Sequence, residues 1–169
     1  VVLFEKHDNG QFRQPGEYPR RSIATVTTHD LPTLRGYWTA SGIELRRCLT
    51  LYPNDEICEL VRQERIHDRR ALLDALAEQG VAVGGDAGDA GGFSEELADA
   101  IHIFLARTAS ALVVLQAEDL AGMADPVNVP GTSDEHANWQ RKMCTDLAEV
   151  FARERIQLLL QRVSAARHG

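Results

Sequence analysis

The chain has 169 residues, of which 44% are hydrophobic and 25% charged, a composition typical of globular proteins and not of disordered ones. Its 25 acidic residues outnumber 18 basic ones, giving a net charge of −7 that is unsuited to binding phosphate backbones. The sequence contains no run of the roughly 18 apolar residues that a membrane helix requires. We therefore predict neither a nucleic-acid nor a membrane partner.

The first predicted element is a short strand over Val1 to Phe4, which carries no signal-peptide pattern. A start inside an apolar run fits either an N-terminal strand or a truncated chain. A loop follows, and residues 22–28 are rich in β-branched side chains, which favours a second strand that ends at His29 and Asp30. After Pro32 breaks this strand, residues 34–38 are expected to form a short helical or irregular segment.

A long helix is predicted from the capping residues Asn54 and Asp55 to about Gln79, with Gly80 as its stop. Its polar middle, residues 63–70, is interpreted as a solvated face. The glycine-rich stretch at about 82–93 lacks the Gly-Lys-Ser/Thr signature of a phosphate loop, so we predict a flexible surface loop there.

The remainder of the chain predicts a helix, a strand and another helix. Ser94 caps a helix that should extend to about Ala109, and the continuous apolar run 111–115 predicts a strand buried on both faces. A loop over 121–136 precedes a long helix that is expected to begin at Asn138 and Trp139. The element order predicts an α/β fold in which helices hold most of the residues.

The three cysteines, Cys48, Cys58 and Cys144, are odd in number and lack CxxC spacing. This pattern argues against both a disulfide framework and a zinc site. We therefore predict no metal and a reducing, cytoplasmic compartment.

Polar side chains follow two predicted strands: His29 and Asp30 after one, and Gln116, Glu118 and Asp119 after the other. In an α/β barrel the carboxyl ends of the strands form the active-site face, so these groups are expected to share a cleft. Carboxylates with His and Gln can bind sugar hydroxyls and stabilise an oxocarbenium-like transition state.

Each of these residues also has a simpler interpretation. A His-Asp pair after a strand is often a turn or cap, and Glu118 with Asp119 could begin a helix. Tyr37, Trp38 and Trp139 could stack on sugar rings, although an aromatic residue near an apolar helix more often belongs to the core.

Four segments together resemble the amylomaltases, a family of 4-alpha-glucanotransferases. Residues 24–38 resemble the segment that ends barrel strand seven, with Thr28-His29-Asp30 followed by Thr33-Leu34-Arg35-Gly36 and an aromatic pair. Residues 115–120, 128–132 and 138–142 resemble the strand-eight region in the same order.

The resemblance implies that the chain is the C-terminal part of the catalytic (β/α)8 barrel, covering strands six to eight over residues 1–169 as an incomplete barrel. It implies retaining transfer of α-1,4-glucan segments between maltooligosaccharides, without a cofactor. Asp30 corresponds to the carboxylate that stabilises the transition state, and His29 to a neighbour that binds sugar hydroxyls. The nucleophile and the general acid have no matching segment. Other residues in the family motifs are expected to bind substrate or support the cleft: Arg35, Trp38, Gln116, Glu118, Asp119, Asn128 and Trp139.

Two rival hypotheses remain at this stage. Asp30 with Glu118 or Asp119 could form a complete two-carboxylate hydrolase, which requires carboxyl groups about 5–9 Å apart. Alternatively, the chain could be a non-catalytic glucan-binding or protein-interaction domain. Because an incomplete barrel leaves strand edges and helix faces uncovered, we also expect the isolated chain to be inactive and to self-associate.

Overall fold

A computed structural model describes residues 1–81, 83 and 92–168, and most of the predicted flexible loop at 82–93 lies outside these ranges. The described residues form a helix-rich α/β fold, as the sequence predicts. Two short 3₁₀ helices lie at Val2–Phe4 and Pro15–Glu17. The strands are β1 Ile23–Thr25 and β2 Leu112–Val114. The helices are α1 Leu34–Trp38, α2 Ser41–Cys48, α3 Asp55–Glu78, α4 Glu95–Ala106, α5 Ala117–Ala121, α6 Leu147–Ala152 and α7 Glu154–His168.

The two strands pair in parallel, with Ala24 opposite Val113 at the centre of the register. Parallel neighbours need a long crossover, and here the chain between β1 and β2 contains helices α1 to α4. Both strands therefore deliver their following loops to the same edge of the sheet.

One face of this sheet is open in the described structure. Ala24 is buried, whereas Ile23, Leu112 and Val114 are 62%, 59% and 47% exposed. The prediction of a strand buried on both faces is therefore wrong for β2. Residues 111–115 are apolar, as the sequence shows, but the described helices cover the sheet on one side only.

The core is built mainly from α4, whose buried residues surround the helix on nearly all sides, packed against α7. Arg155 of α7 forms ion pairs with Asp99 at 2.5 Å and with Glu95 at 3.2 Å, and these pairs link α7 to α4. At the other end of α7, Arg167 donates to the carbonyl oxygens of Thr108 and Ser110, each at 2.6 Å. These bonds tie the C-terminal helix to the segment that leads into β2.

The predicted strand at Val1 to Phe4 is wrong, because these residues form a 3₁₀ turn. Val2 and Leu3 are both buried. Consecutive buried side chains fit a helical turn that presses into the core, whereas a strand would place the two on opposite faces.

The last predicted helix begins nine residues later than expected, at Leu147 rather than Asn138. Asn138 accepts a hydrogen bond from the backbone of Val129 at 2.9 Å and donates to the hydroxyl of Thr132 at 2.8 Å. Trp139 has a left-handed backbone, with φ of 63°. These local bonds hold the segment in a loop, and a non-helical residue, Arg153, separates α6 from α7.

The polar middle of α3 is more than the solvated face that the sequence suggests. Arg65 and Arg69 donate to the carbonyl oxygens of Tyr37 and Trp38 at 2.7 Å and 2.9 Å. Asp68 accepts from the Tyr37 hydroxyl at 2.9 Å. This stretch therefore anchors α1, and with it the loop that precedes α1. Among the described residues, no helix has the length and apolarity needed to cross a membrane.

Candidate functional site

Asp30 lies in the loop after β1, five residues beyond the last strand residue Thr25. Its side chain is 50% exposed and lies 3.3 Å from Nε2 of His29. Nδ2 of Asn128 donates to the other carboxylate oxygen at 2.6 Å, across 98 positions of the chain. An accessible carboxylate is thus held in a defined orientation by an amide from a distant loop.

The exposed Trp139 lies against His29, the sequence neighbour of Asp30. Its ring centroid is 5.1 Å from that of His29, at an interplanar angle of 49°, and its side chain is 63% exposed. The Trp139 backbone N–H donates to the Val127 carbonyl at 2.9 Å, which fixes the loop despite the unusual φ. The pair presents an exposed aromatic surface next to Asp30.

A shallow depression adjoins Asp30 and continues the site toward α2. Asp30, Asn128, Pro32, Pro130 and Arg46 are among its lining residues. Arg46 lies 6.0 Å from the ring centroid of Tyr52. The depression therefore combines a carboxylate, an amide and a guanidinium around apolar proline surfaces.

Asp119 is only 4% exposed, which favours a role in supporting the cleft over direct contact with substrate. It accepts hydrogen bonds from the backbone N–H of Leu34 at 2.7 Å and from the Thr27 hydroxyl at 3.0 Å. Burial raises the pKa of Asp119 to about 6, although both hydrogen bonds act to lower it. Asp119 connects α5 to the loop that carries His29 and Asp30, and to the start of α1.

Gln116 plays a similar connecting role, because its amide donates to the Thr27 carbonyl at 2.6 Å. Glu118 lies 3.6 Å from the guanidinium of Arg141, and both side chains are partly buried. Of the three residues after β2, two therefore contact Thr27, three positions before Asp30, and none is a hydrogen-bonding partner of Asp30. The structure brings Asn128 to Asp30 instead.

Of the two remaining predicted residues, Trp38 is buried and Arg35 is partly buried. Trp38 is fully buried, and its indole N–H has no partner among the described atoms. This burial favours the core interpretation of Trp38 over a sugar-stacking surface. The guanidinium of Arg35 lies 5.1 Å from the ring centroid of Phe93, and its Nε is buried. Both residues support α1.

Sequence reasoning missed Thr27, Asn138 and Arg141 as residues that position the site. All three fall inside segments that resemble the family motifs, so the motif was the available signal. Within the described ranges, no three His, Cys, Asp or Glu side chains are grouped closely enough to hold a metal ion. The buried state of Asp119 also removes it from any two-carboxylate site with Asp30. The accessible chemistry is one oriented carboxylate flanked by an imidazole, an amide and an indole, a set suited to binding a sugar and stabilising positive charge.

Comparison with known proteins identifies a group of relatives. The chain is 31% identical to a 4-alpha-glucanotransferase of Haemophilus influenzae, over 99% of this chain and 24% of the relative. It is 33% identical to a 4-alpha-glucanotransferase of Mycobacterium tuberculosis, over 85% of this chain and 20% of the relative. The crystal structure of the amylomaltase from Corynebacterium glutamicum superimposes with a TM-score of 0.79 at 29% identity, covering 98% of this chain and 24% of that one.

The chain thus spans about a quarter of the length of the relatives it matches. A profile of glycoside hydrolase family 77, described as 4-alpha-glucanotransferase, matches residues 1–147, which include every segment of the site described above. The extent of this match, together with the shared fold, shows that the chain belongs to the 4-alpha-glucanotransferase family.

Proposed function

We propose that this chain is the C-terminal part of the catalytic barrel of a 4-alpha-glucanotransferase, contributing its seventh and eighth strands. The proposal is supported by the parallel pairing of β1 with β2 across a helical crossover. It is also supported by the position of the polar residues, which follow the carboxyl ends of both strands, the edge that carries the active site in such barrels. The predicted strand six has no counterpart among the described residues, because residues 2–4 form a 3₁₀ turn.

One observation carries the functional proposal. Asp30, half exposed, is oriented by Asn128 and flanked by the His29–Trp139 pair. Residues from two family motifs, about a hundred positions apart, therefore assemble one accessible carboxylate with a neighbouring aromatic surface.

The proposed reaction transfers α-1,4-glucan segments between maltooligosaccharides with retention of configuration. In such a reaction one carboxylate attacks the anomeric carbon while a protonated carboxyl assists the leaving 4-hydroxyl, and the 4-hydroxyl of a second glucan then displaces the enzyme carboxylate. Asp30 would place negative charge beside the oxocarbenium-like transition state, and His29 would donate to a sugar hydroxyl. The attacking carboxylate and the acid belong to segments without a match in this chain.

The proposal is tested by incubating maltotriose with the native polypeptide that contains residues 1–169, and separately with the 169-residue chain. We expect the native polypeptide to produce glucose and a ladder of longer maltooligosaccharides, and the isolated chain to produce none. A ladder from the isolated chain would contradict the proposal, because the nucleophile and acid would then lie among these residues.

The alternative is a non-catalytic glucan-binding or protein-interaction domain, and the exposed Trp139 beside His29 is the observation that favours it. Maltooligosaccharide binding by the native polypeptide without any transfer product would support this alternative.

The open face of the sheet supports a further part of the proposal, that the isolated chain self-associates. Ile23, Leu112 and Val114 together present a continuous apolar surface on adjacent strands. Sedimentation velocity of the 169-residue chain should show a dimer or larger species. We keep the cytoplasm as the proposed compartment, since the odd number of cysteines argues against a disulfide framework.

A further inference from the structure

A second cavity, of about 350 Å³, lies between the N-terminal turn at residues 7–14 and one face of α3. It shares no lining residue with the depression beside Asp30. Its volume falls at the low end of the range of about 300–1,000 Å³ that small-molecule sites occupy. The cavity therefore has room for a ligand of one or two sugar rings.

The α3 side of this cavity is a single helical face. His67, Arg70, Asp74 and Glu78 recur at helical spacing and all line the cavity, with Ala71 and Ala75 between them. On the opposite side, Gly10 has φ of 84°, and a Cβ there would lie 3.1 Å from Nε2 of His67. The absence of a side chain at position 10 thus allows the turn to close against α3.

Several polar groups of the cavity are uncommitted. Glu78 is bound by Gln14 at 2.6 Å, but within the described part of the chain His67, Arg70 and Asp74 make no side-chain hydrogen bond or ion pair. Arg70 and Asp74 stand four positions apart on the helix with opposite charges, a spacing at which ion pairs commonly form. Here they remain separate and available as a donor and an acceptor.

The floor of the cavity is apolar. Phe12 and Ala75 are 2% and 3% exposed, and Ala71 is partly buried. An anion would meet the carboxylates of Asp74 and Glu78, and a cation would meet Arg70. A neutral ligand with many hydroxyl groups can use the donors and acceptors at once, and its C–H surface can rest on the apolar floor.

We propose that the cavity between residues 7–14 and α3 is a second carbohydrate site, which binds a neutral pyranose of one or two rings away from Asp30. The class of ligand follows from the lining, while the choice of an α-linked glucose disaccharide as probe rests on the proposed function.

The test is a titration of the ¹⁵N-labelled native polypeptide that contains residues 1–169 with maltose, followed by amide chemical shifts, with inorganic phosphate as the anionic comparison. We expect saturable shifts at residues 7–14 and 67–78 with maltose and none there with phosphate. Arg70→Ala and Asp74→Ala should each weaken this binding at least fivefold. Glu56→Ala removes an exposed charged side chain near the start of α3, about three helical turns from His67, and should leave the binding unchanged.

If either truncation lowers the melting temperature, Arg70→Lys and Asp74→Asn provide the same comparison with the side-chain volume retained. Phosphate binding without maltose binding would overturn the proposal. Equal affinity for maltose in all variants would also overturn it. Maltose shifts confined to residues 29, 30, 128 and 139 would overturn this second site and leave the proposed function standing. Maltose shifts at residues 7–14 and 67–78 with none around Asp30 would support the second site and contradict the proposed function.

Discussion

The ends of β1 and β2 show how one sequence pattern serves two purposes. Each strand is followed within a few residues by a carboxylate, but Asp30 is half exposed while Asp119 is 4% exposed. Asp30 is held by one side-chain amide, whereas Asp119 accepts from a backbone N–H and a buried hydroxyl. The difference is that Asp119 lies in α5, packed against the start of α1, and Asp30 lies in an uncovered loop. A strand followed by a carboxylate therefore predicts a position and not a role.

The largest expected effect comes from Asp30→Asn in the native polypeptide. The amide has nearly the same shape and can still accept from Asn128, but it removes the charge beside the transition state. We expect maltotriose transfer to fall by about 10²–10³-fold, the cost typical of losing one preorganised electrostatic contact. The free energy of unfolding should change little, since the side chain is half exposed.

Asp134→Asn is the matched control, because it neutralises an exposed carboxylate in the loop after α5. Near-normal transfer by Asp30→Asn would exclude the role assigned to Asp30.

Asp119→Ala should show the opposite pattern, with a loss of stability. The substitution leaves the Leu34 N–H and the fully buried Thr27 hydroxyl without their acceptor. Unsatisfied buried groups cost about 1–3 kcal/mol each, and removal of the buried carboxylate offsets part of the cost of these two, so the free energy of unfolding in urea should fall by about 1–3 kcal/mol in all. Asp125→Ala, at an exposed position nearby, should be close to neutral. Undiminished stability in Asp119→Ala would contradict the supporting role.

The raised pKa of Asp119 gives a smaller, pH-dependent effect. Because the folded-state pKa is about 6 and the unfolded value is the ordinary one near 4, the folded chain binds the proton more tightly. The resulting contribution to the free energy of unfolding is fully present below about pH 4 and is lost as pH rises to about 6. Relative to Asp119→Asn, the unfolding free energy of the unsubstituted chain should therefore decline across this window. If the difference in unfolding free energy between the two proteins does not change with pH, burial does not raise the pKa of Asp119.

The smallest effect is expected from Trp139→Ala. With its side chain 63% exposed, the residue contributes little to stability, but its loss removes the aromatic surface beside His29. We expect KM for maltotriose to rise about tenfold, equivalent to about 1.4 kcal/mol, with a smaller change in kcat. Phe151→Ala removes a comparably exposed aromatic residue from α6 and should leave KM unchanged. A fall in kcat alone would contradict a role in binding.

Much of the helical structure was predictable because its signals are local. Asn54 caps α3 by accepting from the Ile57 N–H, and Ser94 caps α4 by accepting from the Leu97 N–H, both as the sequence predicted. The missed elements lack such signals: α2 follows a left-handed Ala40 with no side-chain cap. The loop at Asn138 was mistaken for a helix because its bonds to Val129 and Thr132 are specified by geometry and not by periodicity.

The sequence by itself determined the caps, the two β-branched or apolar strands, and the family motifs that placed Asp30 and Asn128 among the candidate site residues. Only the tertiary structure decided that Trp38 is core, that Asp119 is a buried support, and that one face of the sheet is open. It also decided that Asn128 is the partner of Asp30. The reason is physical: caps and strand propensity depend on neighbours within a few residues. Burial and the Asp30–Asn128 bond depend on which segments meet, and those two residues are 98 positions apart.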